Sequence, residues 1–142
     1  MKTVKQLLNT KSVQIFSITE QSSVLDALKV MMEKNISSLL VMDEGSLKGI
    51  FTERDYARKI ILHGKSSAET SVQEVMTANP ITVLPSDTIE FCMGIMTDKH
   101  IRHLPVMEND QLHGMVSIGD LVKFIIEDQK QTISQLESYI TS

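Results

Sequence analysis

Two short segments of this chain set a hydroxyl three residues ahead of a carboxylate at the end of an apolar run. They are Gly49-Ile50-Phe51-Thr52-Glu53-Arg54-Asp55 and Gly114-Met115-Val116-Ser117-Ile118-Gly119-Asp120. A strand that runs through a hydroxyl residue into a helix, with Asp at the third helical position, forms a capping box. The same geometry can bind a ligand. A helix N-terminus offers unpaired N–H groups and the positive end of a dipole, which suit phosphate. A carboxylate beside it can accept both hydroxyls of a ribose. The two uses are compatible, because one hydroxyl can serve cap and ligand together. A second cluster is Lys99-His100-Ile101-Arg102-His103, at a helix-to-strand junction ahead of Leu104-Pro105-Val106-Met107. Arg suits bidentate phosphate contact, although such a cluster also occurs as a solvated loop. The matching stretch earlier in the chain, Lys34-Asn35-Ile36-Ser37-Ser38, has neither Arg nor His.

That match belongs to a repeat. A shift of 65 residues lays Ile18–Ile61 on Val83–Ile126 without a gap, and eleven of the 44 pairs are identical, among them Met31/Met96, Ile36/Ile101, Gly49/Gly114 and Asp55/Asp120. Average composition predicts about three. Two copies are too few for a solenoid and point to a pseudo-twofold pair. Each copy reads as a short capped helix (Thr3 with Gln6; Ser71 with Glu74), then a strand (Val13–Ile18; Ile81–Leu84). A helix follows (Val24–Lys34; Ile89–Lys99), with caps at Ser22 or Ser23 and at Asp87 with Glu90. Val24, Leu25, Leu28, Met31 and Met32 give the first its apolar face. Two strands joined by a turn come next (Ser38–Met42 and Leu47–Phe51; His103–Met107 and Leu112–Val116). The last helix spans Arg54–Leu62 with Gly64 as C-cap, and its counterpart begins near Gly119. The fold class is thus α+β, two pseudo-twofold-related β-α-β-β-α units. Residues 1–65 form the first domain, 66–70 a small polar linker, 71–128 the second domain and 129–142 a helical tail. The tail's spaced Ile133, Leu136 and Ile140 make it amphipathic, able to dock on a partner or another protomer.

The repeat, its element order and the segments GIFTERDYARKI, VMT, ITV, IRHLPV and GMVSIGDLVK resemble tandem cystathionine-β-synthase (CBS) domains, over nearly the whole chain. They are most similar to small stand-alone CBS pairs of bacteria and plant organelles. The resemblance implies a Bateman module with two clefts for adenosine-containing ligands: AMP, ADP, ATP, S-adenosylmethionine, or NAD(H). It implies that Thr52 and Asp55 form one cleft, completed by Arg102 and His103 with Ile81 near the base. Ser117 and Asp120 form the other, completed by Ile15, Ser37 and Ser38. Arg54 would also reach phosphate, but copy two has Gly119 at that position. On this assignment the Thr52/Asp55 cleft holds the phosphate-binding charge. The module is expected to be a disc-like homodimer that regulates another protein and needs no cofactor beyond its ligand.

Bulk properties bound the rest. Net charge is -4 and aromatics make up 4% with no Trp, so neither a basic field nor stacking platforms favour nucleic acid. No basic helix is visible for DNA reading. The opening MKTVKQLLNT lacks a signal-peptide core and no apolar run is long enough to span a bilayer, so the reading is cytoplasmic with no membrane partner. Cys92 is the only cysteine and reads as a packed thiol; Met31, Met32, Met93 and Met96 read as core; His63 and His113 have no partners at metal-ligand spacing. No grouped base, nucleophile and orienter is present, so the chain reads as a sensor and not an enzyme. A competing reading is an interaction module with vestigial ligand sites.

Overall fold

The structure, a computed structural model, describes residues 2–11 and 15–141. In chain order the elements are α1 (Val4–Asn9), β1 (Ser17–Ile18), α2 (Val24–Lys34), β2 (Ser38–Asp43), β3 (Ser46–Thr52), α3 (Glu53–Asp55), α4 (Val72–Val75), β4 (Thr77–Ala78), α5 (Ile89–Lys99), β5 (His103–Glu108), β6 (Gln111–Ser117) and α6 (Ile118–Thr141). After α3 the chain widens into a π-helical stretch, Tyr56–Ile61. Both expected capping boxes at the opening helices are present. Helices α2 and α5 run over the spans read from periodicity. Two-residue turns join each strand pair with both central residues at positive φ: Glu44 and Gly45, then Asn109 and Asp110. That backbone twist matches antiparallel strands.

The chain packs as two compact units. One contains residues 14–81 and 109–112; the other contains 1–13, 82–108 and 113–142. The opening helices are exchanged between the copies. Val72 and Val75 of α4 sit in the core with Val24, Met31, Leu39, Val41, Phe51 and Ile60 of copy one. Val4, Leu7 and Leu8 of α1 sit in the core with Ile89, Cys92, Met96, Leu104, Val106, Val116 and Leu121 of copy two. Backbone bonds fix each exchange: Val4 N donates to Asp87 O, and Val72 N to Ser22 O.

Several details depart from the sequence reading. In the first unit the sheet order is β1-β2-β3-β4, with β1 parallel to β2 and the other pairs antiparallel. The expected strand at Ile81–Leu84 shrinks to one bridge, Val83 with Val106. In copy one Leu40 N donates to Phe16 O. The residue in Leu40's place is Pro105, which has no N–H to give Ile81. Val13 and Gln14, the start of the other expected strand, lie outside the described residues. The cap of α5 is Thr88, whose hydroxyl accepts from Phe91 N. Asp87 instead accepts from Leu84 N. Met32 is 80% exposed rather than core. Only Val24, Ala27 and Met31 of α2 are buried, a stripe narrower than the apolar residues alone suggest. The last helix of copy one starts at Glu53 and turns π-helical at Tyr56, and Gly64 at φ 63° follows its end. In copy two the last helix and the tail are one 24-residue helix, unbroken through residue 128.

Candidate ligand site

Both hydroxyl-to-carboxylate turns form closed capping boxes, and their surroundings differ. At the first, Asp55 N donates to Thr52 Oγ1 at 3.1 Å while Thr52 N donates to Asp55 Oδ2 at 3.0 Å. The Thr52 hydroxyl also reaches Oδ2, at 3.1 Å. The other oxygen, Oδ1, accepts from Thr77 Oγ1 at 3.3 Å and pairs with Lys59 Nζ at 3.1 Å. Lys59 in turn donates to Val75 O. Asp55 is 7% exposed, so both its oxygens are engaged by the protein in a buried setting. Thr77 was not among the residues singled out by sequence. It arrives on β4, which passes close to Gly49 because a Cβ there would meet Thr77 O at 2.8 Å and Met76 Sδ at 2.6 Å.

At the second turn, Asp120 N donates to Ser117 Oγ at 3.1 Å and Ser117 N to Asp120 Oδ2 at 2.9 Å. The same oxygen pairs with Lys11 Nζ at 2.7 Å, and Lys11 also donates to Met115 O. The Asp120 side chain keeps 29% of its surface exposed against 10% for Asp55. Burial pushes the Asp120 carboxyl up, but the Lys11 bond, the Ser117 bonds and the Lys11 charge together hold it below the usual range. The residue that sequence reasoning missed here is Lys11. It lies 109 positions from Asp120 and outside the repeat, so no spacing signals it.

The remaining candidates fall as follows. Ser38 pairs with Thr52 across β2 and β3, and Ser37 O accepts from Glu53 N, so both serines stand beside the Thr52/Asp55 turn. Arg102 O accepts from Ile118 N, the equivalent bond in copy two. His103 feels the Asp120 charge. Arg102 and His103 thus flank Ser117 and Asp120 within their own unit. Burial lowers the His103 pKa most, Asp120 raises it and Arg102 lowers it; the net direction is down. Arg54 is exposed, as are Ile15 and Ile81 at 41% and 40%. A groove of about 320 Å³ lies beside Asp120, lined also by Lys11, Thr10, Lys123 and Phe124. Cys92 is buried, as expected, and burial, with Asp87 adding to it, pushes its thiol up to about 11. Among the described residues no cluster of three or more His, Cys, Asp or Glu could hold a metal, and no helix is long and apolar enough to cross a membrane.

Comparison with known proteins agrees with this fold. The CBS domain model matches residues 4–62 and 72–127. CBSX3, a mitochondrial CBS domain-containing protein of Arabidopsis thaliana, is 42% identical over 127 residues, which are 86% of this chain and 62% of that protein. The chain therefore spans under two thirds of that relative. A solved CBS-domain protein from Burkholderia ambifaria superposes with TM-score 0.87 at 47% identity, over 90% of this chain and 96% of that one. The CBS domain pair of MJ0100, solved with 5'-methylthioadenosine and S-adenosylmethionine, superposes with TM-score 0.79 at 26% identity, over 90% and 98% of the two chains. With two tandem matches across an α+β duplication, this chain belongs to the CBS-domain family as a tandem pair.

Proposed function

We propose that the chain is a sensor of adenosine-containing ligands (AMP, ADP, ATP, NAD(H) or S-adenosylmethionine) whose occupancy modulates a partner protein. The observation that carries the reading is the Ser117/Asp120 turn. There a partly open carboxylate sits at the N-terminus of a 24-residue helix with Lys11, Arg102 and His103 around it. The carboxylate takes the ribose diol. The positive dipole end of α6 and the Lys11 and Arg102 cations take phosphate. A ligand that takes Asp120 competes with Lys11, which ties occupancy to the chain that follows α1. MJ0100's nucleoside ligands support the adenosine class. In the first unit, Thr52, Arg54, Asp55, Ser37, Ser38, Ile15 and Ile81 are the matching set. The saturated Asp55 favours the alternative reading of a vestigial site at that turn alone. Cys92 is free and buried, so the fold needs no oxidising compartment, which suits the cytoplasm.

The test is calorimetry with AMP on the wild type, Asp55→Ala and Asp120→Ala. The expected result is binding by the wild type, loss in Asp120→Ala and a smaller change in Asp55→Ala. Equal loss in both variants removes the asymmetry. A melting temperature indifferent to AMP, ATP, NADH and S-adenosylmethionine hands the chain to the interaction-module reading.

A further inference from the structure

Two short bonds hold Lys11 at the second turn. Its Nζ donates to Asp120 Oδ2 at 2.7 Å and to Met115 O at 2.8 Å. Lys11 and Asp120 are both partly exposed and line the same groove. A carboxylate oxygen has two lone pairs. Those of Asp120 Oδ2 are both taken, one by Lys11 and one by Ser117 N–H at 2.9 Å. A ribose diol that grips a carboxylate side-on needs one acceptor on each oxygen, so one of these donors must give way. Ser117 N–H is backbone, fixed by the capping box. Lys11 ends a flexible four-carbon stem, and it is the donor that leaves.

The repeat did not supply this pair. Aligning the capping boxes of Thr3 with Gln6 and Ser71 with Glu74 puts Asn79 in the place of Lys11. The shift of 65 puts Phe124 in the place of Lys59. The first unit thus takes its lysine from the helical stretch that follows Asp55, and the second takes it from the chain after α1. At Asp55 the departure of Lys59 would still leave Oδ2 filled by the N–H and hydroxyl of Thr52. At Asp120 the departure of one side chain clears a place on Oδ2.

We propose that Lys11 makes this site selective for nucleosides that carry a 5'-phosphate, by passing from Asp120 to the phosphate as the ribose arrives. This selectivity rests on the adenosine-sensor reading above. A phosphorylated ligand gives the displaced ammonium a new anion, while Met115 O keeps hold of it. A neutral nucleoside takes Asp120 and leaves Lys11 without one. The other acids of the groove are already paired, Asp128 with Lys2 at 3.5 Å and Glu127 with Lys130 at 3.8 Å. The Lys11 contact therefore works against unphosphorylated ligands as well as for phosphorylated ones.

The test is calorimetry of the full chain with AMP and with adenosine, on the wild type, Lys11→Met and Lys11→Arg. The readout is the ratio of the two dissociation constants. Breaking a charge-assisted bond at a partly exposed site weakens binding by about tenfold. Lys11→Met is therefore expected to bind adenosine about tenfold more tightly than the wild type does, and AMP more weakly. The preference for AMP then falls by more than the change in either ligand alone. Lys11→Arg keeps a cation with donors for both partners and is expected to keep the preference. A merely structural role for Lys11 would move both ligands together. If Lys11→Met weakens both alike, or leaves the ratio as it was, the proposal is overturned and the sensor reading stands. If neither ligand binds any of the three proteins, the sensor reading falls and the proposal falls with it.

Discussion

Replacing Asp55 by Ala should destabilise the protein well beyond the equivalent change at Asp120, although the two residues hold the same place in the repeat. In Asp55→Ala the Thr52 N–H loses its acceptor in a part-buried setting, at a cost of about 1–2 kcal/mol. The Thr52 and Thr77 hydroxyls lose a charged acceptor, together about 1 kcal/mol because water replaces them in part. The Lys59 pair adds under about 1 kcal/mol, since that lysine is 41% exposed. The sum is about 3 kcal/mol. In Asp120→Ala the Ser117 N–H and Lys11 lie at a site about one third exposed, where water substitutes readily, so the cost is about 1 kcal/mol. Urea denaturation of wild type and both variants, followed by far-ultraviolet circular dichroism, reads the difference directly. In a chain of this size the melting temperatures should fall by about 10 °C and about 4 °C. Asp55→Asn, which keeps an acceptor for Thr52 N–H but loses the charge, should lie between. If Asp55→Ala and Asp120→Ala prove equally stable, the saturation of Asp55 is not what holds the turn, and the argument for its closed site goes with it.

Gly49→Ala should destabilise by about 1–3 kcal/mol, because its Cβ would meet Thr77 O and Met76 Sδ. Gly94→Ala, mid-helix with open space around it, should stabilise by about 0.5–1 kcal/mol. The same substitution with opposite signs in chemical denaturation is the check, and a harmless Gly49→Ala sinks the close-passage argument. His103 titrates below its usual 6.5 in the folded chain, so the unfolded chain binds more protons between those two values. Stability should therefore fall as pH drops from 6.5 through the folded value, and His103→Gln should flatten that slope in pH-dependent melting. A slope unchanged in His103→Gln would assign the effect to other groups.

Much of the fold was legible because it was written twice. A capping box is local chemistry, so Thr3 with Gln6, Ser71 with Glu74, Thr52 with Asp55 and Ser117 with Asp120 could each be read from a four-residue window. Helices α2 and α5 followed from apolar periodicity over eleven residues. Harder to see was where periodicity stops mattering. Met32 satisfies the helical spacing and yet faces solvent, because the sheet beneath α2 covers only a narrow stripe. The strand expected at Ile81–Leu84 failed on one residue of its neighbour, Pro105, whose missing N–H could be weighed only once the pairing was known.

By itself the sequence determined the duplication, the two capped turns and the chemical type of each candidate residue, since each depends on contacts a few residues apart. Tertiary structure alone decided which opening helix joins which core, that Lys59 and Thr77 close around Asp55 while Lys11 guards a more open Asp120, and that Arg102 and His103 flank Asp120 in their own unit. Those differences rest on atoms brought together from positions up to 109 residues apart. Such contacts leave no mark in local spacing, so two copies alike in pattern become unlike in burial and charge only when the chain folds.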